Sequence, residues 1–308
     1  MFLAPLDDLT DITDEFVRDP MQLAGIPLAL IGAVFLSVGA QLQHRGVTKV
    51  ESDRGGASAG LGVAHLAALL TRPSWVLGTV MLGLAIVFQL GALAFSPLII
   101  VQPLGAIALV LTAVINARTH SVRLNPASVR AIVACVGGVG LFVTVAALVA
   151  GEKPVTDGDL VVILGLLAVV LVVFGGAFAL GRHRTRAVFF IVAAGFIYGF
   201  VATLAKVIIN RVQNGHVEWL TILCGVALLV GTALGAYFVQ NAYSSGPPDL
   251  VIAGLTVIDP MVAIGIGIVV LGEAAGAPLW AVLGFIAAGL LAVWGVFQLA
   301  RHHPQLQN

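Results

Sequence analysis

Nine apolar stretches, each long enough to cross a bilayer as a helix, fill residues 22–300 and leave room for little else. They fall at about 22–43, 75–96, 98–116, 128–150, 159–181, 187–209, 219–242, 250–271 and 278–300. A spanning helix needs roughly 20 apolar residues. Within lipid every backbone polar group must be satisfied inside its own segment, so an all-α polytopic membrane protein is the expected fold class. Of the 308 residues 59% are hydrophobic and 10% charged, whereas soluble domains carry about 25% charge. The formal net charge of zero gives no electrostatic reason to expect nucleic acid as a partner.

Residues 1–21 carry Asp7, Asp8, Asp11, Asp14, Glu15 and Asp19 against Arg18, the reverse of a basic signal-peptide start. They read as an acidic extracytoplasmic tail. Residues 44–74 form the one long loop, with Leu61 to Leu70 as a short interfacial helix. Lys and Arg gather on the cytoplasmic side of membrane proteins. With nine spans, 11 of them (Arg45 to Arg130, Arg182, Arg184, Arg186 and Arg301) share one side, and Arg18, Lys153, Lys206 and Arg211 the other. That places the N-terminus outside, the C-terminal tail 301–308 in the cytoplasm, and the protein in the plasma membrane. Trp75, Trp219 and Trp280 fall at span ends, where an aromatic belt is expected.

The two halves of the chain echo each other. Phe88-Gln89, Ala92, Ser96-Pro97 and Gln102-Pro103 are followed later by Phe238, Gln240, Ala242, Ser245, Pro247-Pro248 and Asp259-Pro260. The spacing from Gln89 to Pro97 equals that from Gln240 to Pro248; the next gap does not match. A first repeat over 22–150, a connector helix over 151–186 and a second repeat over 187–300 would account for this. Four spans plus one connector is an odd number, so the copies enter the membrane from opposite sides. Inverted repeats are typical of secondary transporters, whose sites lie near the midplane. The plainer alternative is apolar composition imitating a repeat.

Asp259 lies in the middle of an apolar run, and an ionisable residue within a span is a functional candidate by default. Pro260 and Pro103 each remove a helical hydrogen bond, which frees the carbonyls of Thr256 and Ile99. Such carbonyls must find partners or line a cavity. Gln102 and Asp259 therefore read as polar groups beside kinks in matching positions of the two repeats. Gln89, Gln240 and Tyr198 are further polar groups that would line a pathway, with interhelical bonding as the ordinary alternative. Lys206 would either pair with Asp259 or, as its position near the outer end favours, snorkel to the surface. Gln41 and Gln43 read as interfacial anchors, Glu273 as a boundary residue, the seven histidines as loop or tail residues, and Cys135 and Cys224 as small buried hydrophobes. Gly195/Gly199 and Gly231/Gly235 would let helix backbones approach closely.

Leu93-Ala94-Phe95-Ser96-Pro97 and Val101-Gln102-Pro103-Leu104-Gly105-Ala106 resemble a segment of NIPA-type magnesium transporters. The stretch from Ser245-Gly246-Pro247 through Asp259-Pro260 to Leu271-Gly272-Glu273 resembles the last repeat of EamA-type carriers. Both groups belong to the drug/metabolite transporter superfamily. The resemblance covers roughly 22–300. It implies a bundle of inverted repeats that moves a small solute by alternating access, and no enzyme activity. The cargo would be a magnesium ion, with Asp259 as its ligand, or a small polar or cationic metabolite. Gln102 stands where NIPA members usually have threonine, and the first half has no counterpart of Glu273. Two other functions compete: a flippase for a lipid-linked headgroup, with Lys206 facing an open groove, and a non-transporting scaffold subunit of an envelope enzyme. The expected partners are the lipid bilayer and a small solute or ion; a homodimer is left open. No cofactor is expected, with a proton or Mg2+ as the coupling ion.

Overall fold

A computed structural model describes residues 22–53, 69–119, 125–181, 187–246 and 248–301. After a short 3-10 turn at Gln22–Ala24 come α1 (Gly25–Asp53), α2 (Pro73–Phe95), α3 (Leu98–Thr119), α4 (Pro126–Val149), α5 (Asp157–Gly181), α6 (Ala187–Gln213), α7 (Trp219–Ser245), α8 (Pro248–Val269) and α9 (Leu279–Arg301). Among the described residues these nine helices are long and apolar enough to cross a membrane. Residues 1–21 and 302–308, and 61–68 of the expected interfacial helix, lie outside the described residues.

Close backbone approach, with one stacked ring pair of Phe35 and Phe88, joins α1 to α2. Gly25, Gly32, Gly39 and Gly46 recur every seven residues on α1, and Gly78, Ala85 and Ala92 recur likewise on α2. A seven-residue stride returns to nearly the same helical face, so two such stripes stay in register along a slight left-handed crossing. A Cβ on Gly39 would sit 3.0 Å from the Gly78 carbonyl oxygen, and one on Gly46 2.7 Å from the Trp75 Cβ. Small residues give close approach where lipid supplies no hydrophobic drive between helices.

That stripe explains a correction. The 44–74 loop is shorter than expected, because α1 runs on to Asp53 and carries His44 with it. Hydropathy marks where lipid ends, not where packing ends: Gly46 and Val50 remain buried beyond the apolar stretch. Gln41 and Gln43 do not serve as interfacial anchors. Gln41 Nε2 donates to Asn116 Oδ1 of α3 at 2.7 Å and Gln43 Nε2 to Thr79 Oγ1 of α2 at 2.9 Å.

In the first half α1 packs on α2 and α3, and α3 on α4; in the second, α6 packs on α7 and α8, and α8 on α9. The strongest contacts between the halves join α4 to α9 and α3 to α8. The α4–α9 crossing is again glycine-tight. A Cβ on Gly138 would lie 2.5 Å from the Ala292 nitrogen, and one on Gly295 2.5 Å from the Cys135 nitrogen. Cys135 and Cys224 are free and buried. Gly195 and Gly199 seat α6 against Ile258 and Val262 of α8, and Gly235 lies under the Tyr198 ring.

Helix α5 packs on α6 and α7 and exposes most of its apolar surface. One end is held by rings: Phe178 lies edge-on to Phe190, Tyr237 and Phe238. The other end is held by charge, through an ion pair from buried Arg211 of α6 to Asp157 at 2.6 Å. Trp219 and Trp280 are exposed at the starts of α7 and α9, as a belt requires, whereas Trp75 packs on α1.

Candidate functional site

Helices α3 and α8 are the two that proline interrupts, at Pro103 and Pro260. They also pack on each other across the halves. A Cβ on Gly267 would meet the Leu98 Cβ at 3.4 Å, which sets their register. Helices that cross in alternate directions make this pair antiparallel. Gln102 lies four residues beyond Leu98, about 6 Å along the axis, and Asp259 eight residues before Gly267, about 12 Å. The two side chains therefore differ in depth by only about 6 Å.

This similarity of depth does not come from matching repeat positions. Gln102 is in the second turn of α3, whereas Asp259 is midway along α8. Counted from the helix starts, they are seven residues out of register. Antiparallel packing, which the linear spacing does not reveal, brings them to similar depth.

Both groups are unsatisfied. Gln102 is 6% exposed, and its Nε2 has no hydrogen-bond partner among the described residues. Asp259 is half-buried, and its Oδ1 is buried with no partner. Buried polar atoms are nearly always paired, so each orphan asks for an explanation. Tyr198 of α6 is half-buried and within electrostatic range of Asp259. Gly199 brings the α6 backbone against α8 here: a Cβ on it would lie 2.9 Å from the Asp259 carbonyl oxygen.

The remaining candidates lie elsewhere. Gln89 is half-buried on α2 with its backbone against Gly32 of α1, while Gln240 is exposed on α7. Lys206 neither snorkels nor pairs with Asp259. It is 4% exposed, and its Nζ donates to the Leu93 oxygen at 2.8 Å, the Ser96 oxygen at 2.9 Å and Glu152 Oε1 at 2.5 Å. The turn between α2 and α3 leaves those carbonyls without helical donors, and the ammonium supplies them. A groove-facing Lys206, as a headgroup flippase would need, is not what the fold provides.

Glu273 is not a boundary residue either. It is 3% exposed and accepts from the backbone amides of Leu98 at 2.8 Å and Ile99 at 2.9 Å. A carboxylate there satisfies orphan amides and meets the positive end of the helix dipole. Local backbone puts it there. Gly272 takes the left-handed conformation (φ 67°), which glycine adopts without strain. The Glu273 amide then donates back to the Gly267 oxygen at 2.9 Å. Burial pushes the Glu273 carboxyl up to about 7, against the opposing pull of the two amides and of Lys206.

Residues 21–303 match the family described as Magnesium transporter NIPA. The chain belongs to the NIPA magnesium transporter family. NIPA proteins are membrane transporters, so this is a multi-pass protein of a transporter family and not of an enzyme family. The chain is also 26% identical over 284 residues to an uncharacterised protein of Corynebacterium glutamicum, across 91% of this chain and 95% of that one. No solved structure matches it. In this NIPA protein no linear pattern marks Glu152 as the partner of Lys206. A signal for Glu273 was present: an acid directly after a glycine that ends an apolar run.

Proposed function

We propose that this protein carries Mg2+, or a small polar cation, across the plasma membrane by alternating access, with the cargo held between α3 and α8. The observation that carries this reading is the pair of orphaned buried groups, Gln102 Nε2 and Asp259 Oδ1, on the two proline-interrupted helices that meet across the halves. Asp259 supplies the charge. The Thr256 and Ile99 carbonyls, deprived of helical donors by Pro260 and Pro103, supply neutral oxygens. Tyr198 stands beside them. Among the described residues no three His, Cys, Asp or Glu side chains gather. Mg2+ does not need such a cage, because it dehydrates reluctantly and is commonly bound through one or two carboxylates with waters retained.

Alternating access needs two bodies that rock about the site. We infer that α1–α4 and α6–α9 are inverted repeats with α5 as connector. The contacts support this, since α4 meets its counterpart α9 and α3 its counterpart α8. The Lys and Arg distribution supports an outer N-terminus.

Ligand-dependent stability tests the reading directly. Mg2+ at about 100 times its Kd adds about 2.7 kcal/mol to a protein that binds it only when folded. At about 2–4 °C per kcal/mol, the purified protein should melt about 5–10 °C higher. The shift should vanish in Asp259→Asn. A titration series of Mg2+, Ca2+, amines and amino acids in which Mg2+ leaves Tm unmoved would remove magnesium as the cargo.

A further inference from the structure

At one end of the bundle the α2–α3 corner, Leu93 to Ile99, lies beside Gly267 of α8 and is hydrogen-bonded by side chains of the second half. Lys206 caps the Leu93 and Ser96 oxygens, Gln213 Nε2 donates to the Ala94 oxygen at 3.2 Å, and Glu273 accepts from the Leu98 and Ile99 amides. Five main-chain groups of one corner thus depend on three long side chains of the other half. The segment after α4 closes the ring. Glu152 pairs with Lys206, and the Gly151 amide donates to the Glu273 oxygen at 2.9 Å.

The other cross-half contact is of a different kind. At α4–α9 backbone meets backbone across Gly138 and Gly295, with no room to slide. Interdigitated backbones make a pivot; ion pairs and hydrogen bonds of flexible side chains make a contact that can open and re-form. We propose that the α2–α3 corner is the moving gate at this end of the carrier, and that Glu273 and Lys206 are the latch holding it closed. The proposal rests on the alternating-access reading above and names the part that moves.

Opening would return Glu273 to water. The charged groups around it are Lys206 on α6 and Glu152 and Lys153 on the α4–α5 segment, with the Lys153 ammonium beside Gly272. Its carboxyl is raised from 4.5 to about 7 in the closed arrangement. Closing therefore takes up a proton between those values. This contribution to closure is fully present below about pH 4.5 and is lost as pH rises through about 7.

A thiol-accessibility experiment on the full chain reads the latch without any cargo. Cys135 and Cys224 are replaced by Ala, Gln102→Cys serves as reporter, and proteoliposomes are treated with a membrane-impermeant maleimide on either face. Rates are normalised to those of the unfolded chain at each pH. Labelling of this parent should be slow near pH 5, quicken as pH rises towards 7 and level off above it. Adding Glu273→Ala or Lys206→Gln should raise the rate about 10-fold or more, only from the face that carries residue 273. Glu273→Gln, whose amide oxygen can accept from only one of the two backbone amides, should label faster than the parent but slower than Glu273→Ala, and lose the pH dependence. An unchanged rate in Glu273→Ala, or an equal rise from both faces, would overturn the latch. Wild-type vesicles that fail to move Mg2+ would sink the functional reading and leave this result standing.

Discussion

Asp259→Asn should leave the protein folded and stop transport. The substitution is nearly isosteric, and Asp259 Oδ1 has no hydrogen-bond partner to lose. Tm without ligand should therefore stay within about 2 °C of the parent, a shift of less than about 1 kcal/mol. The proposed cargo site would lose its charge. A hydrogen bond or ion contact to a charged group in a buried setting is worth up to about 3 kcal/mol, and about 1.4 kcal/mol is a factor of ten. Mg2+ flux into vesicles loaded with a fluorescent magnesium indicator should fall about 100-fold, to the level of empty vesicles. Undiminished flux with an unchanged Tm would show that the cargo passes elsewhere. Gln240→Ala is the matched control: an exposed residue on α7, it should leave flux unaltered, whereas Gln102→Ala should reduce it.

The contrast between those residues measures what a linear sequence carries. Span number was legible because hydrocarbon thickness imposes a length on every crossing, and residues that satisfy it leave little ambiguity. Asp259 was legible for the same reason, since a charge in an apolar run is conspicuous. What the spacing could not carry was the register between distant helices. Gln102 and Asp259 read as matching repeat positions, yet it is the antiparallel α3–α8 contact at Leu98 and Gly267 that sets them at similar depth. Lys206 and Glu273 were misplaced for a related reason. Near a span end, hydropathy does not separate a side chain that reaches for water from one that turns inward to cap a distant helix. The deciding features, the bared carbonyls of Leu93 and Ser96 and the bared amides of Leu98 and Ile99, belong to a corner 110 to 175 residues away in the chain. The seven-residue glycine stripe of α1 was visible in the sequence, and its partner stripe on α2 gives it meaning.

The same close packing sets up the largest expected effect on stability, and two adjacent residues give it a built-in control. Gly137 is exposed, with open space where a Cβ would stand. Gly137→Ala should be neutral or stabilising by up to about 1 kcal/mol, from the helix preference for alanine alone. At Gly138 an added Cβ would stand 2.5 Å from the Ala292 nitrogen and 2.9 Å from the Ala288 oxygen. These are backbone atoms within a helix, so no side-chain rotation relieves the clash. Gly138→Val forces α4 and α9 apart, and overpacking of this kind costs about 3 kcal/mol or more. The melting temperature in detergent should drop by about 10 °C, since each kcal/mol moves it about 2–4 °C. If Gly137→Ala and Gly138→Val melted alike, α4 and α9 would not be in backbone contact. The halves would then lack the fixed crossing about which a gate at the α2–α3 corner has to turn.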